Sequence, residues 1–537
     1  MPSRSDLPWW KRCVFYQVYP RSFLDTSGNG VGDLNGIRQK LNYIAELGIE
    51  GIWISPFFKS PQKDYGYDVS DYRKVDPLFG RDEDFKMLLD EAHKRGLKVL
   101  VDLVLSHTSD QHDWFQESRQ SRNNPKSDWY VWADPKPDGS PPNNWLSVFG
   151  GPAWSYYAKR GQYCLHQFLK EQPDLNFHNE DVRNAILDVI RYWCEQGVDG
   201  FRFDAIIHTF SDQKLRDNPP NTSGVSMTQF GGPDLYNMQQ HIYDRNLPEA
   251  EAFTKDIRKL LDEYPNIKAL GEICSEKTHI DAAAYCGADK LHSAYSFELL
   301  KLGFDKFNAS SFKKAMEETA ALDFFWPSWS FSNHDMIRSV TRWSKENCAN
   351  RSALAKCLNA LLLSLRGTPY LYQGEELGLP DVPLAFEEIQ DPWGIFLWPE
   401  WQGRDGCRTP MPWTKDAPHA GFSSAEKTWL PVPQSHADLA VDTQERDANS
   451  VLNVTRTLIA WRKEQDDLIS GDIAFYDLGE DILCFRRNRT LCVFNLRDET
   501  FDIELPTEIR ENLKLFSLIR SGNRLRLNSF GFGFFSI

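Results

Sequence analysis

The sequence predicts an α/β protein: a (β/α)8 TIM barrel with an inserted domain after strand 3 and a C-terminal antiparallel β-sandwich. Apolar runs alternate with helical patterns, several runs end directly in polar residues, and 537 residues exceed one ordinary domain. The eight runs expected to form the barrel strands are 13–19, 51–54, 98–105, 199–205, 268–272, 291–297, 329–333 and 368–373.

Two stretches interrupt this alternation. Residues 108–176 show no βα unit and are rich in Trp, Pro, Gly and Asn, which indicates the inserted domain B. Residues 380–431 are too long for a bare connector, so we expect a folded loop over the site. Short strands beyond residue 465 indicate the β-sandwich. The predicted limits are 1–107 and 177–465 for the barrel, 108–176 for domain B and 466–537 for domain C.

Composition excludes several classes of partner. The formal net charge is -15, and neither a Lys/Arg-rich run nor a membrane-length apolar stretch is present. We therefore expect neither a nucleic-acid nor a membrane partner. The ten cysteines form no C-x-x-C pair, which is typical of reduced thiols rather than of a disulfide framework or a zinc site. Because the N-terminus also lacks the apolar core of a signal peptide, we expect a cytoplasmic protein.

The central stretch is Asp199-Gly-Phe-Arg-Phe-Asp-Ala205. In a strand, Arg202 and Asp204 share one face because side chains alternate with period two. The neighbouring guanidinium favours the ionised form of Asp204, which a nucleophile requires. By itself the pair is equally compatible with a structural ion pair in a surface strand.

Other polar residues also follow predicted strands. The carboxyl ends of barrel strands face the active site, so these side chains should converge there. Crowded carboxyls repel, so one should have a raised pKa and act as an acid beside a second, nucleophilic one, as glycoside cleavage requires. A zinc site is the rival interpretation, but no H-E-x-x-H spacing exists. The converging residues are Asp102, His107, Arg202, Asp204, Glu272, His334 and Asp335.

A polar, glycine-rich loop follows the first predicted strand. In Asp25-Thr-Ser-Gly-Asn-Gly-Val-Gly-Asp33, oxygen-bearing side chains alternate with residues that permit a tight turn. Hard divalent cations bind such oxygen ligands, although an ordinary polar turn reads the same way.

Several motifs resemble, in order, the signature regions of the α-amylase family, glycoside hydrolase family 13. Two further motifs are similar to hallmarks of its oligo-1,6-glucosidase and α-glucosidase branch, and the resemblance covers essentially the whole chain. The signature motifs are Asp102-Leu-Val-Leu-Ser-His107, Gly200-Phe-Arg-Phe-Asp204, Glu272, Phe331-Ser-Asn-His-Asp335 and Gln172-Pro-Asp-Leu-Asn176; the branch motifs are Tyr16-Gln-Val-Tyr-Pro-Arg-Ser-Phe23 and Gly403-Arg-Asp-Gly-Cys-Arg-Thr-Pro-Met-Pro-Trp413.

The resemblance implies a role for each matching residue. Asp204 would be the nucleophile, Glu272 the general acid/base, and Asp335 the carboxylate that grips the substrate. Asp64 and Arg408 would pair to close the pocket behind the non-reducing sugar. The remaining residues implied to hold the substrate are Tyr67, His107, Arg202 and His334.

The resemblance also places a structural Ca²⁺ or Mg²⁺ in the polar loop, and no organic cofactor. Its implied ligands are Asp25, Ser27, Asn29, the carbonyl of Val31, and Asp33. Two positions depart from the family pattern. Asn29 replaces an acid that is frequent in relatives and should weaken the ion. Ser106 replaces the usual Asn, which alters one polar contact.

These features together predict a retaining, exo-acting α-glucosidase that releases glucose from short α-glucosides through a glucosyl–enzyme ester. The alternative in the same class is an enzyme that transfers glucose to sugar or non-sugar acceptors. A catalytically dead transporter ectodomain is the rival of another class; it would need a membrane anchor and would lack the carboxylates. Relatives that cleave α-1,6 bonds tend to carry Val after the nucleophile, so Ala205 predicts a preference for α-1,4 bonds.

Overall fold

A parallel eight-stranded sheet forms the centre of the computed structural model, which describes residues 7–222, 235–322, 324–345 and 348–537. In sheet order the strands run β6-β5-β4-β3-β2-β1-β8-β7, and a parallel bridge between Tyr295 and Ser328 joins the two ends. The (β/α)8 barrel is thereby confirmed. The strands are β1 Phe15–Val18, β2 Gly51–Ile54, β3 Lys98–Val104, β4 Gly200–Asp204, β5 Lys268–Gly271, β6 Ser293–Ala294, β7 Ser328–Trp329 and β8 Thr368–Tyr372.

The barrel strands are buried on both faces, which explains their near-continuous apolar sequences. Strands β6 and β7 have only two residues each, fewer than their apolar runs suggested. Side chains reinforce the barrel at this point. The Lys268 ammonium donates to Ser293 Oγ, which lies 3.0 Å from Ser328 Oγ. Strands β5, β6 and β7 are thus connected where their backbone ladder is shortest.

Helices surround the sheet and pack an apolar stripe against it. In Glu180–Glu195, which precedes β4, the buried residues recur at helical spacing from Val182 to Trp193. The Asn179 side chain caps this helix by accepting from Asp181 N at 2.9 Å. The α-helices of the described residues are Trp9–Arg12, Leu34–Gln39, Leu41–Glu46, Asp82–Lys94, Asp113–Ser118, Glu180–Glu195, Pro248–Leu261, Thr278–Ala284, Phe297–Leu300, Ala309–Ala320, Ser339–Arg342, Arg351–Ser364, Pro392–Leu397, Asp405–Arg408, Gln434–Ala437, Val441–Glu445, Val451–Glu464 and Asp466–Ser470.

The segment after β3 contains a small antiparallel sheet of three strands, Trp132–Ala133, Gln162–Leu165 and Trp154–Tyr157. It is tied to the barrel through isolated bridges, of which His107 with Asp174 is one. A two-stranded pair, Phe58–Lys59 with Asp71–Val75, follows β2. The residue limits of an inserted domain stay a prediction. The segment contacts the carboxyl end of β3 through the bridge at His107.

Six antiparallel strands form the C-terminal β domain: β9 Ile473–Asp477, β10 Ile482–Arg487, β11 Thr490–Asn495, β12 Phe501–Glu504, β13 Glu511–Ser521 and β14 Arg524–Ser536. The long strand β14 pairs with β11, β12 and β13 and so connects the whole domain. Residues from β10, β11 and β14 share a core of their own. Phe485, Phe494 and Phe534 belong instead to the barrel's core cluster, which fixes the domain against the barrel.

The loop after β8 is folded and returns to β1. Met411 N donates to Ser22 O at 2.9 Å, and the Trp413 and Trp429 indoles donate to Phe23 O and Ser22 Oγ at 2.7 and 3.1 Å. These bonds hold the loop at the carboxyl end of the barrel. Within the described ranges, no helix combines the length and the apolar character needed to cross a membrane.

Candidate active site

Arg202 lies at the centre of the site and contacts three carboxylates. It is 1% exposed and points inward from β4. Its Nη1 donates to Asp102 Oδ1 at 2.9 Å and to Asp204 Oδ1, and its Nη2 lies 2.8 Å from Glu272 Oε1. One planar guanidinium therefore holds the ends of three neighbouring strands together. It also brings Asp204 and Glu272 side by side.

The three carboxylates cannot all be neutralised by one cation. Burial raises the pKa of Glu272 to about 8, because Arg202 offsets this effect only in part and Asp204 adds to it. Burial also raises the pKa of Asp204, to about 7: Arg202 favours the ionised form, as expected, but it offsets burial only in part. Glu272 is therefore protonated at neutral pH, as a general acid must be.

Ala205 orients Glu272 through its backbone. Its N–H donates to Glu272 Oε2 at 3.1 Å. Ala205 adopts a left-handed conformation with φ 48° and ψ 30°, which is uncommon for a residue with a Cβ. The chain reverses there, and a 3-10 turn, Ile206–His208, carries Ile207 and His208 into the cavity wall.

Asp335 has a different electrostatic environment. Its Oδ1 lies 3.1 Å from Arg404 Nη1 and 2.8 Å from Arg408 Nη2. Burial alone would raise its pKa, but His334 beside it and the two guanidiniums hold the pKa well below the usual range for a carboxyl. His334 Nε2 contacts the other oxygen at 3.2 Å. Asp335 is thus a permanent anion, unlike Glu272.

The predicted pairing of Asp64 with Arg408 is wrong, because Asp64 pairs with Arg404. Asp64 Oδ1 lies 3.0 Å from Arg404 Nη2, and its Oδ2 accepts from Gln172 Nε2 at 3.1 Å. Arg408 is 1% exposed and is held by Asp335 and by His334 O, to which its Nε donates at 2.6 Å. The two arginines are four residues apart, and Asp405–Arg408 is helical. Arg408 therefore lies one helical turn beyond Arg404, behind the cavity wall.

Tyr67 and His334 form a stack beneath the carboxylates. Their ring centroids are 5.3 Å apart and nearly parallel, and Tyr67 Oη also contacts His334 Nε2 and Asp102 Oδ2. His334 is buried, which lowers its pKa to about 3, and Gln17 Nε2 donates to its Nδ1 at 2.8 Å. Neutral His334 therefore carries its proton on Nε2, towards Asp335.

His107 is held by the residue that departs from the family pattern. Ser106 Oγ lies 2.9 Å from His107 Nδ1, and Nε2 lies 3.0 Å from the carbonyl of Tyr67. Nε2 also lies 3.1 Å from Gln172 Nε2, so the ring is held on both of its nitrogens. Burial lowers the pKa of His107 to about 4, so the imidazole stays neutral. Serine at this position thus still fixes the ring.

These side chains surround a cavity with an empty volume of about 740 Å³, open at one side. Asp64, Tyr67, His107, Asp204, Glu272 and Asp335 line it, whereas Arg202, His334 and Arg408 lie behind that wall. The rest of the wall is largely apolar, and sequence reasoning did not identify it. Its apolar part comes from the segment after β3, the stretch between β4 and the helix Pro248–Leu261, and the loop after β8: Val148, Phe149, Phe168, Ile207, Tyr236 and Trp393.

The loop with the predicted cation ligands is closed by its own hydrogen bonds. Asp25 Oδ1 accepts from Ser27 N, Ser27 Oγ and Gly28 N at 2.8–3.1 Å. Its Oδ2 accepts from Gly30 N at 2.8 Å and from Ser423 Oγ at 2.5 Å. Burial would raise the pKa of Asp25, but these donors outweigh it and lower the pKa.

Two other predicted ligands, Asp33 and Asn29, are occupied in the same way. Asp33 accepts from Thr26 and caps the next helix through Gly36 N at 2.7 Å. Asn29 Oδ1 accepts from Val31 N at 2.8 Å. Both carboxylates are saturated with N–H and O–H donors, so the residues as arranged do not fit a cation. We derive no step through a metal.

Comparison with known proteins agrees with the barrel and its site. The model "Alpha amylase, catalytic domain" matches residues 17–471. A Rhizobium meliloti protein named "Probable alpha-glucosidase" is 50% identical over 519 residues, which cover 95% of this chain and 93% of that protein. "Oligo-1,6-glucosidase" of Heyndrickxia coagulans is 38% identical over 542 residues, covering 93% of this chain and 94% of the relative.

Solved structures of two related enzymes share the whole fold. The crystal structure of the alpha-glucosyl transfer enzyme XgtA has a TM-score of 0.95 at 50% identity, covering 98% of this chain and 99% of that one. The trehalulose synthase MutB from Pseudomonas mesoacidophila MX-45 has a TM-score of 0.90 at 31% identity, with 99% of each chain covered.

A barrel that brings the carboxyls of Asp204 and Glu272 together on one guanidinium, with Asp335 nearby, has the paired carboxyls of a glycoside hydrolase. With a catalytic-domain match that covers most of its length, this chain belongs to the α-amylase family.

The first prediction concerns pH. Because the general acid must be protonated in the free enzyme, we expect kcat/KM on maltose to fall along a basic limb near pH 8, the pKa of Glu272. Glu272→Gln should abolish this limb for aryl glucosides whose leaving group needs no proton. A pH–rate profile of both proteins measures it. A basic limb that persists in Glu272→Gln would assign it to another group.

The second prediction concerns the loop of Asp25. We expect a chelator to leave the melting temperature unchanged, because the carboxylates are already satisfied. Asp25→Ala should lower the free energy of unfolding by about 2 kcal/mol, since it removes several hydrogen bonds to a charged group. Thermal and denaturant unfolding measure the two effects. A fall with chelator that Ca²⁺ or Mg²⁺ reverses would instead establish the predicted structural cation.

Proposed function

We propose that the protein is a retaining, exo-acting α-glucosidase that releases glucose from the non-reducing end of short α-glucosides. The observation that carries this proposal is that Arg202 holds Asp204 and Glu272 on one guanidinium. A retaining mechanism needs its two carboxyls only about 5–5.5 Å apart, with no water between them. Two carboxylates bound to the same guanidinium lie close together, as a retaining mechanism requires. An inverting mechanism would need them farther apart.

In the first step, Asp204 attacks the anomeric carbon while Glu272 protonates the glycosidic oxygen. The C1–O bond to the leaving group breaks and an ester between C1 and Asp204 forms. Asp335, an anion between Arg404 and Arg408, accepts hydrogen bonds from the sugar hydroxyls and favours the positive charge that develops on the ring. Tyr67 provides an apolar face for the sugar.

In the second step, Glu272, now ionised, takes a proton from the incoming hydroxyl. That oxygen attacks C1, and Asp204 leaves with the electrons of the ester bond. Water yields glucose, and a sugar or non-sugar alcohol yields a new α-glucoside. The second candidate function, glucosyl transfer, is favoured by one observation: the XgtA structure, 50% identical over 98% of this chain, is of an alpha-glucosyl transfer enzyme.

Exo action follows from the closed end of the cavity. Asp64 and Arg404 join the loop after β2 to the loop after β8 through a 3.0 Å contact, and both side chains are nearly buried. A chain of sugars cannot continue past this pair. One glucosyl unit therefore fits between it and the catalytic carboxyls.

The proposed partners are small α-glucosides and glucosyl acceptors, and the proposed location is the cytoplasm. Eight of the ten cysteines are buried, and all ten are free thiols, which favours a reducing compartment. Relatives named alpha-glucosidase and oligo-1,6-glucosidase both match, so they leave the preferred linkage open.

The third prediction separates the two carboxyls. Asp204→Asn should abolish turnover of every substrate, because no ester can form. Glu272→Gln should lose maltose hydrolysis but still form the ester with activated aryl glucosides, where it would accumulate. Mass spectrometry of the quenched protein measures the added glucosyl group. If Glu272→Gln hydrolysed maltose at the wild-type rate, the acid would lie elsewhere, and the proposed mechanism would fail.

The fourth prediction concerns linkage. Ala205 lines the cavity next to Asp204, so we expect maltose to have a higher kcat/KM than isomaltose. Ala205→Val should shift the ratio towards isomaltose, within the roughly 10- to 200-fold range that such contacts provide. Valine is unfavourable at φ 48°, so both rates should also fall. The ratio cancels that common loss. Equal or reversed wild-type values would contradict the linkage preference alone.

A further inference from the structure

Asp391, in the loop after β8, is a buried carboxylate that does not line the cavity. It is fully buried, and its Oδ1 accepts from Trp393 N at 3.2 Å at the start of the helix Pro392–Leu397. Its main partner is Arg404. Oδ2 accepts from Arg404 N at 2.7 Å and from Nε at 3.0 Å, and Oδ1 accepts from Nη2 at 2.8 Å.

Arg404 connects this buried carboxylate to two that do line the cavity. Its Nη2 reaches Asp64 and its Nη1 reaches Asp335, at 3.0 and 3.1 Å. Each of those contacts is made by a single oxygen and a single guanidinium nitrogen. The contact with Asp391 is bidentate, through Nε and Nη2, and therefore fixes the plane of the guanidinium.

The backbone around Asp391 is packed to allow this contact. A Cβ on Gly403, where φ is +78°, would lie 2.7 Å from Asp391 Oδ2. A Cβ on Gly394 would lie 2.4 Å from Gln402 O. Two glycines thus let the helix and the segment before Arg404 approach closely enough for the backbone N–H of Arg404 to reach Asp391.

We propose that Asp391 is a positioning residue for the glucose-binding end of the cavity, which acts by fixing Arg404 so that one guanidinium contacts Asp64 and Asp335 at once. Trp393, which follows Asp391 in the capped helix, lines the cavity beside Arg404, with the guanidinium 5.9 Å from its ring centroid. The proposal rests on the proposed function only for the choice of substrate.

The test is Asp391→Asn in the full-length protein. The amide has the same shape, but its NH₂ group cannot accept from Arg404. We expect kcat/KM on maltose to fall about 10- to 100-fold, mainly through a higher KM, because Arg404 is displaced from both cavity carboxylates. Inhibition by glucose, which occupies only the closed end, should weaken by the same factor. The melting temperature reports separately on folding.

The matched control is Asp381→Asn in the same loop. Asp381 accepts from the backbone N–H of Arg338 at 2.7 Å, a bond that an Asn oxygen can also accept. We expect KM, kcat and glucose inhibition to be unchanged. If Asp391→Asn does not fold, Asp391→Ser keeps a hydroxyl for the helix cap without the carboxylate, and the same losses are expected.

A double-mutant cycle identifies the route of the effect. If Asp391 acts through Arg404, Asp391→Asn should have no further effect on KM in an Arg404→Ala background. Additive losses, or wild-type KM and glucose inhibition in folded Asp391→Asn, would overturn the proposal. Either result is distinct from failure of the proposed function, which would appear as wild-type protein without activity on α-glucosides.

Discussion

The site depends on the buried contact between Arg202 and three carboxylates. Arg202 on β4 lies opposite Asp102 on β3 and Leu270 on β5 in the strand register. Removing the guanidinium would leave buried, unpaired carboxylates, which cost several kcal/mol each. A slip of one residue would turn Arg202 and Asp204 away from the barrel axis. The strand register is therefore needed to place Arg202 against the carboxylates, and Arg202 is needed to stabilise the carboxylates that this register buries.

The distribution of cations explains why similar carboxyl groups differ chemically. Asp335 receives two guanidiniums, both from the loop after β8, and its pKa is held low. Asp204 and Glu272 share one guanidinium with Asp102, so burial prevails and their pKa values rise. The pKa of Glu272 rises to about 8 and that of Asp204 to about 7, so the proton favours Glu272. The barrel thus supplies the acid and the nucleophile, and the loop after β8 supplies the two arginines that keep Asp335 ionised.

Local sequence patterns predicted the barrel but not all of the site. Strands such as β3 could be recognised because burial on both faces requires a continuous apolar run. Asp204 and Glu272 could be placed because they end such runs. The partner of Asp64 could not, since Arg404 and Arg408 lie in one motif and only the helical turn at 405–408 separates them. Phe149 and Trp393 reach the cavity from two insertions, and long-range packing leaves no local signal.

Different parts of the cavity wall differ in chemistry. This difference affects the competition between hydrolysis and glucosyl transfer. The closed end is polar and fixed by the Asp64, Arg404 and Asp335 contacts, so it selects one sugar ring. Apolar groups that follow Asp204 in the chain, Ala205 and Ile207, line another part of the cavity, and such groups bind an acceptor's carbon surface better than they bind water. Both reactions use the same ester and the same base. We therefore expect the balance between hydrolysis and transfer to depend on how well an acceptor binds beside these apolar groups, rather than on the carboxyl groups.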